Sequence, residues 1–490
     1  MSQIADLIAR AARRFGSKPC LIEGERVVSF ADFDAATNRF AHALKAAGLV
    51  HGDRVGVLLP NGIDCLVAYY GLAKAGLVRV SLNSRDTVPD LRFKLGEVGA
   101  RAVLVGEDAP DLGTEIALAP ADLARLVEAA SDAHPAIWRS LDEPYRLGFT
   151  GGTTGRPKAV TLTERGELAE LSAFLTDLVP DIGPEDRFLH SAPIAHASGA
   201  FFLPALVRGT TSLVMVKFDP ASFVELAQAT RATMTFLVPT MLALLLEEPA
   251  LAVADVALRR IAYGASPIAP ALYERAEQRF GPIFAQTYGQ AESPMVITCL
   301  KPDEHDRVGS CGRPFTIAEV AVMSDDGSLL PPGDVGEIVV RGPQLMARYW
   351  NRPEATEEAF RGGWLLTGDI GRMDEDGFFY LLDRKGDMLI SGGYNVYPRE
   401  VEDALLAYPG VVEAAVIGLP DETWGDRVHA VVSGTEIDTA GLLAHARKLL
   451  AGYKAPKSVE VWASLPKSPA NKILRREVKR LVLEGSEVTA

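Results

Sequence analysis

The feature that most constrains this chain is an alternation of short β-branched runs with alanine- and leucine-rich helical stretches. Val55-Gly-Val-Leu-Leu59 is followed by a helical pattern over Asp64–Lys74 and then by Val78-Arg-Val-Ser-Leu82. Arg101-Ala-Val-Leu-Val105 and Thr211-Ser-Leu-Val-Met-Val216 repeat the arrangement. Strands separated by helices pair in parallel, because a parallel crossover needs a dozen or more residues and the helix supplies them. An α/β fold is therefore expected, with a large N-terminal domain of mixed and parallel sheets flanked by helices. At 490 residues the chain exceeds a single hydrophobic core, so two or three domains are expected.

From Ala318 the rhythm changes. Glu319-Val-Ala-Val-Met323, Gly336-Glu-Ile-Val-Val-Arg341 and Phe378-Phe-Tyr-Leu-Leu382 are short strands broken by Asp-Gly and Pro-Gly turns, which reads as a β-rich subdomain. Asp383-Arg-Lys-Gly-Asp387 is a charged stretch with a glycine, and the boundary is placed there: residues 1–384 as one domain, 385–490 as the other. The second domain reads helix, strand, strand, helix, strand, a small α+β unit on a thin linker.

The balance of 50 basic against 64 acidic residues gives a net charge of −14, which argues against nucleic acid as a partner and leaves any anionic ligand to a local positive site. The four cysteines, Cys20, Cys65, Cys299 and Cys311, are scattered, which suits neither a disulfide framework nor a zinc site. Near the N-terminus, Ile4, Leu7, Ile8, Ala11 and Phe15 recur at helical spacing, so the arginines among them belong to an amphipathic helix and not to a targeting peptide. The longest apolar run, 236–246, is interrupted by Pro239, and no membrane span is expected. A cytoplasmic protein is the expectation.

Chemistry concentrates in Phe149-Thr-Gly-Gly-Thr-Thr-Gly-Arg-Pro-Lys158. Gly151, Gly152 and Gly155 let the backbone turn so that its N–H groups approach an anion. Thr150, Thr153 and Thr154 add hydroxyl donors and Lys158 a point charge. This reads as a phosphate cradle, the alternative being a flexible glycine-rich surface loop; it is not the Walker loop, since Arg156 and Pro157 separate the last glycine from the lysine and a strand follows, not a helix. Two weaker signals accompany it. Gln286-Thr-Tyr-Gly-Gln-Ala-Glu292 follows a strand-like run; its tyrosine is either a purine platform or a buried structural residue, and its glutamate has the chemistry to hold Mg²⁺. Thr367-Gly-Asp369, read as lying between two strands, offers a carboxylate for a ribose diol or for capping a turn.

Taken with Pro193-Ile-Ala-His196-Ala-Ser-Gly199, Tyr263-Gly-Ala-Ser-Pro267, Gly336-Glu-Ile-Val-Val-Arg-Gly342, Ile390-Ser-Gly-Gly-Tyr-Asn-Val-Tyr-Pro398 and Leu465-Pro-Lys-Ser-Pro-Ala-Asn-Lys472, these segments resemble the adenylate-forming superfamily of AMP-dependent acyl-CoA synthetases, firefly-type luciferases and nonribosomal adenylation domains. The resemblance covers nearly the whole chain, with the motifs in the family's order. It implies ATP-dependent activation of a carboxylic acid to an acyl-adenylate, then thioester formation with coenzyme A. It implies further that Thr150, Gly151, Gly152, Thr153, Thr154, Gly155 and Lys158 hold the ATP phosphates and that Glu292 binds Mg²⁺. Gly264, Ala265, Ser266, Gln286, Thr287, Tyr288, Gly289 and Gln290 would surround adenine, with Gln286 meeting its amino group, and Asp369 and Arg384 would hold the ribose. Lys472 resembles the family's catalytic lysine, and His196 would border the acyl channel, the alternative for it being a hydrogen-bonded core histidine. The acyl wall implied is Ala197, Ser198, Ala200 and Phe202 with Met241, Pro294, Met295 and Val296 opposite. Gly392, Gly393, Tyr394, Lys454 and Lys457, with Arg85 from the large domain, would meet coenzyme A, and Gly386 would be the hinge of a mobile C-terminal domain.

Three positions depart from the family's commonest pattern: Gly151 for serine, Ala291 for threonine and Asn471 for glycine. Gly151 removes one neutral hydrogen bond, worth about 1 kcal/mol. Because 191–206 contains no Asp or Glu to meet an ammonium, a free amino acid is disfavoured as substrate. Small residues and methionines along the wall suit an aryl, alicyclic or medium-to-long-chain acid. A carrier-protein acceptor, a luciferase-like oxygenase and a non-enzymatic nucleotide-binding protein are the alternatives, and homodimerisation is left open.

Overall fold

The computed structural model describes residues 3–106, 109–150, 157–421, 424–467 and 473–485. The chain divides into two compact units, one built mainly from residues up to Val320 together with Val340–Leu365, the other from Ala321–Val339 and from Leu366 onward.

Two large sheets dominate the first unit. The nine-stranded sheet orders Arg313–Pro314, Ser293–Leu300, Phe284–Gln290, Arg260–Gly264, Met234–Leu237, Arg187–His190, Thr211–Val214, Pro19–Glu23 and Arg26–Ser29. From Phe284–Gln290 to Pro19–Glu23 every pairing is parallel, and the sheet turns antiparallel at its two edges. The seven-stranded sheet orders Arg348–Tyr349, Ala159–Thr163, Pro144–Phe149, Val78–Ser81, Arg54–Leu58, Ala102–Val105 and Ile116–Leu118. Of its interior strands, Arg54–Leu58, Ala102–Val105 and Ala159–Thr163 are buried on both faces without alternation, whereas Val78–Ser81 and Pro144–Phe149 alternate buried and half-buried positions. Helix Ile4–Phe15 buries Ile4, Ala5, Ile8 and Ala11, the stripe its spacing requires. Pro239 does not break a span: it occupies the first turn of helix Pro239–Leu246, where its missing N–H costs nothing. An aromatic cluster, Phe174, Phe188, Phe201 and Phe236, fills the space beneath the nine-stranded sheet.

In the second unit, Val335–Arg341 lies between Glu319–Met323 and Trp364–Met373, and Phe379–Arg384 pairs antiparallel on the far side of the last. A further sheet is built on the long hairpin of Val411–Asp421 and Gly425–Gly434, with Ser458–Trp462 parallel to the latter. Successive residues of Val411–Asp421 bury opposite faces. Ala414 and Val416 pack with Val401, Leu405 and Leu442 of the helices Pro398–Leu406 and Thr439–Leu449. Ala415, Ile417 and Leu419 pack with Trp462 and with Val478 of the helix Arg475–Glu484.

Two sequence expectations are corrected. Thr367-Gly-Asp369 is not a break between strands but lies inside the ten-residue strand Trp364–Met373. Gly368 has φ of +70°, so the backbone turns there without a steric penalty while the ladder resumes with Asp369 opposite Arg384. The tyrosine-glycine segment likewise does not follow a strand: Phe284–Gln290 runs through it. No described helix is long and apolar enough to cross a membrane.

Candidate active site

In the first unit the glycine-rich segment is launched by a β-hairpin. Phe149 pairs with Ala159 and Gly148 with Val160, and the Thr150 amide donates to the Lys158 carbonyl at 3.0 Å. The Thr150 hydroxyl oxygen accepts from the Lys158 amide at 3.1 Å, so this threonine ties the two stems together. Gly151, Gly152, Thr153, Thr154 and Gly155 lie outside the described residues. The ammonium of Lys158 sits 4.8 Å from the ring centroid of Tyr349.

The two segments expected to surround adenine run through adjacent strands. Arg260–Gly264 and Phe284–Gln290 run parallel with Tyr263 opposite Gln286 and Gly264 opposite Thr287. The contact at Gly264 is tight: a Cβ there would stand 2.5 Å from the Thr287 carbonyl oxygen. The Tyr263 hydroxyl donates to Gln286 Oε1 at 3.1 Å and also lies 3.1 Å from His305 Nε2. Gln286 is therefore anchored from below, with one lone pair of its amide oxygen taken. Ala265 and Ser266 follow on the exposed side, and Ala265 holds φ of +69°. A non-glycine residue in the left-handed region costs roughly 1 kcal/mol, a strain that tends to be kept at functional positions.

Phe284–Gln290 returns antiparallel as Ser293–Leu300, with Gln290 opposite Ser293, so Ala291 and Glu292 form a two-residue turn. The register shifts between Tyr288 and Gln290, where Met295 adopts φ of +55°. Only glycine fits at 289: a Cβ would lie 2.3 Å from the Met295 amide nitrogen. The turn holds Glu292 by its carbonyl, which accepts from the Met346 amide at 2.8 Å, and by its carboxylate, which accepts from the Tyr349 hydroxyl at 2.6 Å. Among the described residues no cluster of three or more metal-ligating side chains occurs. One carboxylate suits Mg²⁺, which keeps waters and substrate phosphate oxygens as its other ligands.

Beside this turn, Ala197, Ala200, Met241, Tyr288 and Met295 are partly buried against one apolar cluster that includes the fully buried Val296. Pro294 is half-buried in the same bulge. His196 is exposed and precedes the short helix Ala197–Ala200. Two of the expected wall residues face inward. Ser198 is fully buried with its hydroxyl 3.1 Å from His190 Nδ1, and Phe202 packs against Phe33 and Tyr70. Burial lowers the His190 pKa to about 4, so the ring is neutral and bridges Ser198 to the Ser212 hydroxyl at 3.2 Å. Arg85 lies elsewhere in this unit, on the loop between Val78–Ser81 and Val88–Glu97.

In the second unit, Asp369 and Arg384 face each other across the ladder and form an ion pair at 2.7 Å. The Thr367 hydroxyl donates to the Ile338 carbonyl and accepts from the Asp369 amide, while the Gly368 amide donates to Glu337. Gly386 is exposed, and a Cβ added to it would meet nothing within 4 Å. Gly392 and Gly393, at φ of +60° and +81°, form the turn joining Leu389–Ser391 to Tyr394–Val396; two left-handed residues are what a tight hairpin turn demands. Gly392 packs on Trp424, donating its amide to the Trp424 carbonyl, and Lys457 lies 4.9 Å from the same indole. Tyr394 and Tyr453 lie ring against ring at 4.8 Å, and Lys454 pairs with Glu400 at 2.7 Å. Lys472 lies outside the described residues. The flanks of its segment are joined: Lys467 bridges to Ile473, and the Leu474 amide donates to the Pro466 carbonyl.

Sequence reasoning missed Asn61, Tyr349 and Trp424. Asn61 accepts from the Ile194 amide and donates to the carbonyls of Ala192 and Met215, holding the histidine motif in place. Each acts through partners far away in the chain, and no local spacing signals them.

A family model described as AMP-binding enzyme matches residues 8–350, and one described as its C-terminal domain matches 400–472. A feruloyl-CoA synthase of Amycolatopsis sp is 38% identical over 482 residues, 96% of this chain and 97% of the relative. The medium/long-chain-fatty-acid–CoA ligase FadD8 of Mycobacterium tuberculosis is 36% identical, over 98% of this chain and 90% of its own. The structure of o-succinylbenzoate CoA synthetase from Bacillus subtilis with its acyl-adenylate superposes with a TM-score of 0.91 at 31% identity, over 98% and 99% of the two chains.

Proposed function

The chain belongs to the AMP-binding enzyme family, and on that premise we propose that it is an AMP-forming acyl-CoA ligase. A carboxylate oxygen attacks the α-phosphorus of ATP, the α–β phosphoanhydride bond breaks, and pyrophosphate leaves with the electron pair. The thiolate of coenzyme A then attacks the acyl carbon of the mixed anhydride, AMP departs, and the thiol proton passes to solvent. Most of the acceleration in such a transfer comes from positioning and from cations placed where negative charge builds.

The observation that carries this reading is the convergence of Lys158 and Glu292 on one residue, Tyr349, with Ala291 and Met295 beside Glu292 packed against an apolar cluster. Lys158 and the threonine-glycine loop at 150–155 grip the phosphates, and Glu292 brings Mg²⁺, whose role when bound is to neutralise phosphate charge. Gly264, Ala265 and Ser266, with the strand Gln286–Gln290, receive adenine. Asp369 and Arg384 receive the ribose, and Lys472 meets the attacking carboxylate and the α-phosphate. His196 stands at the mouth of the acyl pocket. Coenzyme A takes the glycine turn at 392–393 with Tyr394, Lys454 and Lys457, and Arg85 belongs to the same proposal. The pliable wall of Met241 and Met295 suits a bulky apolar acid, aryl or medium-to-long-chain, in keeping with the names of the feruloyl and fatty-acid relatives. The described cysteines are buried and unbridged, which is in keeping with a reducing, cytoplasmic setting.

A pyrophosphate-release screen over carboxylic acids, with and without coenzyme A, tests the reading. Release that depends on an aryl or medium-to-long-chain acid, with AMP and a thioester formed when coenzyme A is added, is the expected outcome. No release with any acid contradicts it.

A further inference from the structure

Tyr349 belongs to neither the glycine-rich loop nor the segment around Glu292, yet it touches the reacting-phosphate groups of both. We propose that Tyr349 is a positioning residue for MgATP: its ring and hydroxyl hold Lys158 and Glu292 at a fixed separation, one for phosphate and the other for the metal. This rests on the reading that Lys158 meets phosphate and Glu292 meets Mg²⁺.

The short strand Arg348–Tyr349 pairs antiparallel with the strand that leaves Lys158, with Tyr349 opposite Val160 and Arg348 opposite Thr161. Backbone bonds extend the pairing on both sides, from Ala347 to the Thr161 carbonyl at 2.9 Å and from Trp350 to the Ala159 carbonyl at 2.8 Å. Three residues earlier, Met346 donates to the carbonyl of Glu292 at 2.8 Å. The segment 346–350 is therefore stitched to both halves of the site, and the Tyr349 amide is itself bound by Thr356 at 3.0 Å. Its side chain, 7% exposed, repeats that connection. The ring face lies 4.8 Å from the Lys158 ammonium, and the hydroxyl donates to Glu292 Oε1 at 2.6 Å.

An aromatic ring is suited to this place. An ammonium and a carboxylate near each other attract, and direct pairing would take both out of service for phosphate and metal. A ring offers its face to the cation and its hydroxyl to the anion, so each charge is held without cancelling the other.

The two contacts separate by mutation. Y349F keeps the ring for Lys158 and removes the donor to Glu292. It is expected to raise the half-saturating Mg²⁺ concentration roughly tenfold, as loss of a hydrogen bond to a charged group does, with the KM for ATP at saturating Mg²⁺ unchanged within about twofold. Y349L removes the ring as well and is expected to raise the KM for ATP by about fivefold. Mn²⁺ titrated onto the full chain with ATP and no acid, followed by electron paramagnetic resonance, reads the metal step without turnover. E292Q is the control. If E292Q weakens Mn²⁺ binding and Y349F does not, the role of Tyr349 is overturned while that of Glu292 stands. If E292Q leaves Mn²⁺ binding unchanged, the underlying reading fails and this inference with it. A Y349F protein that melts early and loses acid, ATP and metal affinity alike has lost structure only. The double variant decides such a case: the effect of Y349F on Mn²⁺ disappears in the E292Q background if the phenol acts through the carboxylate, and persists if the tyrosine is merely structural.

Discussion

His190 shows how a residue outside the chemistry shapes the site from below. It lies fully buried, bridges Ser198 to Ser212, and stacks near Phe188 at the base of the histidine-motif helix. Its folded pKa of about 4 lies below the ordinary value of 6.5, because burial disfavours the imidazolium. The unfolded chain therefore takes up the proton first. Stability contributed by the neutral ring is fully present above pH 6.5 and is lost as pH falls towards 4, about 3 kcal/mol in all. In urea unfolding, the parent protein should lose about 2 kcal/mol more than a His190→Asn variant between pH 7 and pH 5. Equal losses would mean that the ring is not held neutral. At this scale the sequence was uneven. Anion binding could be proposed for 150–158 from sequence because its glycines, threonines and lysine are contiguous and their types suit an anion. His190, Asn61 and Tyr349 were not, because a lone histidine, asparagine or tyrosine acquires its partners only when strands far apart in the chain come together. Ser198 and Phe202 face inward, Ser198 from the four-residue helix Ala197–Ala200 and Phe202 from the start of the next helix, Phe202–Arg208, which packs on the core.

Among the elements, short apolar runs and the period-3.6 pattern located strands and helices well, as in Ala102–Val105 and Ile4–Phe15. Glycine misled twice. Gly368 and Gly289 read as punctuation, but both lie within strands: Gly368 supplies a positive φ in mid-ladder, and Gly289 makes room for the bulge at Met295. The helix Arg475–Glu484 raises a different question, because it buries only Val478 and needs another anchor. Arg475 provides one, forking onto Glu402 at 2.7 and 2.6 Å and reaching Asp383 at 2.8 Å and Asp387 at 3.0 Å. Removing this half-buried cation leaves three carboxylates without their shared positive partner. Arg475→Met should destabilise the second unit by roughly 3 kcal/mol, and Arg475→Lys, lacking the planar fork, should recover only part of this. Calorimetry of the full chain reads it as an early-melting transition; an unshifted melting profile would exclude the anchor.

For the whole molecule, the order of motifs carried the family assignment, and the paired family matches over 8–350 and 400–472 agree with it. The acid itself was not legible, because a wall of small residues and methionines specifies room and pliability more than shape. If the chain works in two half-reactions, Lys472→Ala should abolish adenylation yet leave thioester formation from a supplied acyl-adenylate largely intact. Single-turnover assays separate the two, and equal loss of both would assign Lys472 a structural part. The central claim, that MgATP activates a carboxylic acid here for transfer to coenzyme A, is tested most directly by pyrophosphate release across a panel of acids. Release should require an aryl or medium-to-long-chain acid, with AMP and the acyl thioester appearing when coenzyme A is present. ATP bound without pyrophosphate release for any acid would contradict it.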